Sequence, residues 1–391
     1  MRFLVANHLR LGAAPGGIPD HFPSDSQAFS TRTAWSRAVA HAIEQRVHAV
    51  FLTGEIISTT NPGLEPLGPL ADGIAQLREA NVPVVAVSDG RFTPTVARHL
   101  RLGDSVHFLD NVLHWNPPVT TDREAMNGPA IHVVAASLAE STDVPVDNPI
   151  TLEEMDRPGA IWILTDALQP DDIRTDHTLV IEPGSIAPLT RTETGTHGAW
   201  LVDTDATEAD LVPLATLEFA AIAIDVSDAH NIEDVERIIA QGLIAAADDV
   251  PAANHLVVHC TLTGATRLYA ALADIATDLQ RTLSLEHEGV TIGLSGIDID
   301  ATLLIDLEPL VGRPDPVGEI ARLLQALSGG SVLTEAQSQL LGAVEQKVLA
   351  VTHARVFGSI VDVPLAADAH TLLERSAWAA LDTMVRQRGI D

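Results

Sequence analysis

A single cysteine (Cys260), a single tyrosine (Tyr269) and a single lysine (Lys347) stand in 391 residues. One thiol excludes an internal disulfide and fits a reducing compartment, so a cytoplasmic protein is expected. Its setting in "HLVVHCTLTG" (255–264) marks a buried strand thiol, since a nucleophilic cysteine needs a base and an electropositive surrounding. Aromatic residues make up only 4% of the chain while hydrophobic residues reach 46%, so the core must be built from Ala, Val, Leu and Ile. No uncharged apolar run approaches the roughly 18 residues that a membrane-spanning helix needs. The opening "MRFLVANHLRLG" turns polar after a short apolar run, which reads as a first strand and not as a secretory signal. Basic residues are the largest deficit: 23 against 53 acidic, a net charge of −30. Such a surface repels a phosphate backbone unless basic groups gather locally. Two readings follow: a salt-adapted acidic composition, or a chain that does not hold nucleic acid by itself.

A chain of this length exceeds one ordinary core. Apolar strands at 2–6, 49–55 and 82–87 alternate with helical patterns at 33–47 and 69–81, an order that predicts a parallel sheet with helices on its faces. Further strands are expected at 130–137, 160–167, 177–185 and 198–205, and the acidic stretch 203–213 reads as a junction. Beyond it, helices at 231–247 and 268–283 and strands at 255–264 and 290–300 suggest an α+β module, followed by amphipathic helices at 335–351 and 371–389. The expected division is a core over 1–210, an α+β module over 211–330 and a helical region over 331–391.

Ligands of parallel sheets bind at the carboxyl ends of the strands, which puts "ANHLRLG", "TGEI" and "SDGRF" on one rim. These segments, with "AVFLTGEIISTTNPG", "VPVVAVSDGRFTP", "TLVIEPGSIAPLTRTETGTHGAWLVD" and "VVHCTLTGATRLYAAL", resemble the SbcD-type DNA repair nucleases of the calcineurin-like metallophosphoesterases over nearly the whole chain. The resemblance implies an α/β fold, a two-layered β-sandwich flanked by helices, with a small α+β cap and a helical C-terminal segment. It also implies two divalent metals held by Asp, His and Asn, which polarise phosphate and generate hydroxide.

Carried over residue by residue, the first Asp of that pattern falls on His8 and its His partner on Arg10. The bridging Asp falls on Glu55. The Asn, His and Asp of the next motif fall on Gly90, Arg91 and Phe92, the following His on Ala135, and the final group on Thr165, Asp166, Ala167 and Leu168. Every implied ligand differs. A guanidinium has no lone pair to offer a metal, so the expectation is a relict site in which Glu55, Asp89 and Asp166 pair with Arg10 and Arg91, with no cofactor. The alternative is a rebuilt divalent-metal site, such as Mn, on His8, Glu55, Asp89 and Asp166, with His132 as a further donor. A weaker alternative makes Arg10 and Arg91 a phosphate grip, in an anion sensor.

The resemblance further implies docking of the C-terminal helices on an SbcC-like SMC-type ATPase, and homodimerisation. Leu340, Leu341, Val344, Val348 and Leu349, with Leu372, Leu373, Trp378 and Leu381, could form the docking groove or pack on their own module. His255 and His259 sit four apart in a strand-like run without a third ligand, Asp298 and Asp300 read as a solvated strand face, and 194–198 reads as a hairpin loop. The expected function is a degenerate subunit acting as scaffold or regulator in DNA metabolism; the contrasting one is a divergent metal-dependent phosphodiesterase or exonuclease.

Overall fold

The computed structural model describes residues 1–19, 22, 28–60, 63–87, 91–102, 105–109, 131–134, 137–138, 149–150, 155, 160–174, 178–205, 208–250, 253–328, 334–352 and 369–388. Two compact units divide the chain: 1–222 with 240–260 and 279–297, and 223–239 with 261–278 and 298–391.

The first unit opens with β1 (Arg2–Asn7), α1 (Thr31–Glu44), β2 (Ala49–Thr53), α2 (Leu67–Glu79), β3 (Val84–Val87), α3 (Pro94–His99) and β4 (Val106–Leu109). It continues through β5 (Ile131–Val134), β6 (Ser137–Leu138), β7 (Pro149–Ile150), β8 (Ala160–Leu164), β9 (Asp171–Arg174), β10 (Thr178–Glu182), β11 (Gly198–Asp203) and β12 (Glu208–Pro213). One sheet of six strands runs in the order β12-β11-β1-β2-β3-β4, and a second of four in the order β5-β8-β10-β9. β1 pairs parallel with β2, Phe3 opposite Ala49, and antiparallel with β11, Val5 opposite Trp200.

Strand alternation explains why these runs are apolar throughout. Successive side chains of β1 point to opposite faces, and both faces are covered. Leu4 and Ala6 join Val50, Leu52, Trp35 of α1 and Ile74 of α2 in one core. Phe3, Val5 and Phe51 join Ile131, Val133, Ile161 and Ile181 of the second sheet in another. The α/β class expected from the sequence is therefore present, with two sheets facing one another across an apolar layer.

Within the acidic stretch 203–213, expected as a junction, Glu208–Pro213 form β12, paired antiparallel with β11 from Gly198 opposite Pro213 to Asp203 opposite Glu208. Its inward Ala209 is buried while Glu208 and Asp210 are exposed, as suits an edge strand whose charges discourage further pairing.

Beyond β12 come β13 (Leu217–Asp225), α4 (Ile232–Asp248), β14 (His255–Thr263), β15 (Ala265–Thr266), α5 (Tyr269–Thr282), β16 (Ser284–His287) and β17 (Val290–Ile299), with a sheet ordered β13-β14-β17-β16. The second unit also holds β18 (Thr302–Leu303), α6 (Glu308–Val311), α7 (Pro316–Leu327), α8 (Glu335–Thr352) and α9 (Ala369–Arg388). α7 starts where the Asp315 side chain accepts from the Gly318 N–H and Pro316 takes the first turn, where a missing N–H costs nothing. Its Val317, Ala321 and Leu324 bury Leu373, Ala377 and Leu381 of α9. Of the expected groove residues, Leu373 and Leu381 are thus covered within the unit, whereas Leu340 is 45% exposed. No helix among the described residues is long and apolar enough to cross a membrane.

Candidate functional site

The rim forms where β1, β2 and β8 end and the 183–197 loop returns. β1 ends in Asn7, which is fully buried and ties three segments together: its amide donates to the carbonyls of Thr165 (3.3 Å) and Gly184 (2.9 Å), and its oxygen accepts from the Thr53 hydroxyl (2.9 Å). The next turns are backbone-forced. His8 (φ 43°) and Arg10 (φ 42°) are both left-handed, each at a cost of about 1–3 kcal/mol for a non-glycine residue. That conformation is held by backbone bonds from the His8, Arg10 and Leu11 N–H groups to Thr53, Glu55 and Ile56. Gly54 (φ 61°) completes the approach, because a Cβ there would lie 2.5 Å from Asn7 Oδ1 and 2.7 Å from His8 Nδ1.

His8 Nδ1 accepts the Glu55 backbone N–H at 3.0 Å, so its neutral ring carries the proton on Nε2, an atom that is itself buried. Burial lowers the pKa of His8 and the Arg10 charge lowers it further, while the Thr165 carbonyl, Glu55 and Asp166 act in the opposite direction. Glu55 is half-buried and its Oε1 accepts from the Thr59 N–H at 2.6 Å. Asp166 is exposed, with the Thr165 hydroxyl 3.5 Å from Oδ1. Arg10, Glu55 and Asp166 therefore all lie close enough to act on His8. Asp89, Gly90 and Ala135 lie outside the described residues. Arg91 donates to the carbonyls of Ser58 and Gly63 (3.3 Å), bracing the loop after Glu55. Phe92 is fully buried against Phe108. His132 is stacked on Trp162, ring centroids 4.2 Å apart.

Arg10 has a partner the sequence analysis did not assign. Its guanidinium grips Glu193 with both terminal nitrogens, one at 3.1 Å, and also donates to the Ala187 carbonyl at 3.0 Å. Glu55 and Asp166 are not its ion-pair partners; the 183–193 loop, whose Ile186 N–H bonds the Asn7 carbonyl at 3.1 Å, returns beneath the rim and brings Glu193 closer. Glu193 also accepts from Ser185 Oγ (2.8 Å) and Thr190 Oγ1 (3.2 Å). Burial would raise its pKa, but the Arg10 bonds and charge outweigh that and hold it below the usual range, with Ser185 and His197 adding to the effect. His197, fully buried, meets Ser185 through Nδ1, and burial lowers its pKa. The one sequence signal for Glu193, Ser185 and His197 was the quoted "EPGSIAPLTRTETGTHG" segment; nothing in it marks Glu193 as the buried partner of Arg10.

Chemically, the described residues of the rim offer the Glu55 and Asp166 carboxylates, a third, Glu193, already paired with Arg10, one imidazole whose Nδ1 lone pair is occupied, and two guanidiniums without lone pairs. That donor set does not fit a two-metal centre. Elsewhere among the described residues, Asp248, His287 and Glu288 bring one ligand atom each within 4.8 Å of one another, on the end of α4 and the β16–β17 hairpin. His255 instead lies against the rings of Phe22 and Phe29.

The family model described as "Metallophosphoesterase YhaO, middle domain" matches residues 219–295, from β13 through β17. This match supports a metallophosphoesterase-type family, and with it a phosphoesterase- or nuclease-like class and the divalent metals usual there. Comparison with curated proteins gives no match.

Proposed function

We propose that the chain is a catalytically degenerate SbcD-like subunit with a calcineurin-like core, working as a scaffold or regulator beside an SbcC-like SMC-type ATPase in DNA metabolism. The carrying observation is the buried Arg10–Glu193 pair. A protein cation stands where the resembling family has a metal-binding His, and it is neutralised by a carboxylate of the same chain. Burying a charge is tolerated when it is paired and hydrogen-bonded, and this pair meets both conditions. The −30 net charge supports contact with DNA only within the complex. Homodimerisation and a cytoplasmic setting belong to the same reading.

The second reading, a divergent metal-dependent phosphodiesterase, is favoured by one observation: His8, Glu55 and Asp166 still share the rim, two of them carboxylates suited to Mn. Manganese-dependent cleavage of a generic phosphodiester by the purified chain, run beside Glu55→Ala, separates the two. The degenerate reading expects no cleavage in either sample; cleavage lost on Glu55→Ala would replace it with a rebuilt site. Co-purification with an ATPase that bears a long coiled coil would carry the partner half of the proposal.

A further inference from the structure

The loop 193–197 holds two buried carboxylates in opposite circumstances. Glu193 at its start meets the Arg10 guanidinium, as described above. Thr196 near its end donates through Oγ1 to Glu218 of β13, at 3.2 Å to one oxygen and 3.4 Å to the other. Glu218 is 1% exposed. Its neighbours Leu217 and Phe219 point to the opposite face of β13, into an apolar cluster with Phe22, Phe29 and Val257. The same loop is bound to the strand by the Gly195 N–H, which reaches the Phe219 carbonyl (3.0 Å), and to the segment before the strand by the His197 carbonyl, which accepts from Leu214 and Ala215.

Titratable or charged groups on the surrounding elements are Glu193 and His197 on the loop, Arg10 at the end of β1, Arg37 on α1, which donates to the Leu214 carbonyl, and His255 on β14. None forms an ion pair with Glu218 among the described residues; Arg10 is taken by Glu193, and His197 by Ser185. A carboxylate withdrawn from water with one neutral hydroxyl for company is strongly disfavoured and takes up a proton instead. Burial accordingly raises the pKa of Glu218, opposed only by the Thr196 bond.

We infer that residues 193–197 are a proton-operated buckle between the β1 rim and β13, closed while Glu218 carries a proton and released on its β13 side when Glu218 ionises. The rim side, Arg10 with Glu193, needs the opposite state, an ionised carboxylate, so one short loop is clasped fully only in the pH interval where Glu193 is charged and Glu218 is neutral. The consequence is mechanical: rising pH frees Thr196 and the Phe219 carbonyl while Arg10 stays clasped, and loosens the start of the segment that matches the YhaO middle domain. This holds whether the rim is metal-free or rebuilt, so it fails or stands separately from the proposed function.

The test uses the full chain, with Glu218→Gln and Thr196→Val. Because the folded-state pKa of Glu218 is raised, its contribution is complete below the ordinary value of 4.5 and is lost as pH climbs through the raised value. Amide-exchange protection at 194–197 and 217–219 is expected to fall with rising pH in the unmodified chain and to stay flat in Glu218→Gln, whose amide remains neutral. Thr196→Val is expected to lower protection at low pH, where the buckle is closed, and to match the unmodified chain at high pH, where it is already released. Equal pH dependence in the unmodified chain and Glu218→Gln would overturn the inference. Should Glu218→Gln fail to fold, the side-chain carboxyl signal of Glu218 followed by NMR in the unmodified chain decides: titration at the ordinary glutamate value overturns the buckle, and titration above it supports it.

Discussion

Replacing Arg10 or Glu193 by leucine tests the buried pair through its own asymmetry. Leaving one member of a buried pair alone costs about 3–5 kcal/mol, and the structure ranks the two within that interval. Arg10→Leu leaves Glu193 with two hydroxyl donors, from Ser185 and Thr190, and the carboxyl can take up a proton, so the cost falls near about 3 kcal/mol. Glu193→Leu leaves an 8% exposed guanidinium with only the Ala187 carbonyl, and it cannot deprotonate. Its cost falls near about 5 kcal/mol. The double replacement removes both charges and should cost well under the sum, with a coupling of about 2–3 kcal/mol. Urea unfolding of the four proteins at constant m, followed by tryptophan fluorescence, measures this; Trp35, Trp162 and Trp200 are buried in the first unit and report its unfolding. Single replacements that each cost under about 1 kcal/mol and simply add would refute the assignment of a buried, mutually compensating pair.

Acid should open the rim before it unfolds the remainder. The folded-state pKa values of His8 and His197 are lowered, so their contributions are complete above the ordinary value of 6.5 and are lost as pH falls through the lowered values; the Glu193 contribution is likewise complete above its ordinary value of 4.5 and lost as pH falls through its lowered value. Thermal midpoints between pH 7 and pH 4 should therefore fall, less steeply in His197→Asn, and equal slopes would count against the burial of His197. Cys260 is fully buried and its thiol is pushed up to about 12, so a disulfide reagent should label it only in denaturant; rapid labelling of the native chain would contradict the β14 packing.

Legibility in the sequence followed exposure on two faces. Strands covered on both sides, such as "RFLVAN" and "AVFLT", read as apolar runs because neither face meets water. β12 did not, because its alternating Glu208 and Asp210 make an edge strand look like a polar junction. α7 had its start written in "DPVGE", an N-cap aspartate and a first-turn proline, yet the helices expected from the sequence in this region were only the longer ones beyond it. At the rim, the strand ends put His8, Arg10 and Glu55 on one edge and the resemblance added Asp166; in the structure Arg10, Glu55 and Asp166 all lie near enough to His8 to act on its charge. The partner of Arg10 was not legible: Glu193 lies 183 residues away on a loop whose path is set by the Ile186–Asn7 backbone bond, and charge counting favours the carboxylates nearer in the motif.

Whether the rim holds metal decides between a degenerate and a rebuilt site. Metal content of the purified chain after equilibration with manganese and removal of free ion tests this directly. The proposed degenerate rim predicts no manganese at the rim, and any residual binding, at Asp248, His287 and Glu288, unaffected by Glu55→Ala. Two manganese ions per chain, about 3.5–4 Å apart and lost on Glu55→Ala, would contradict it.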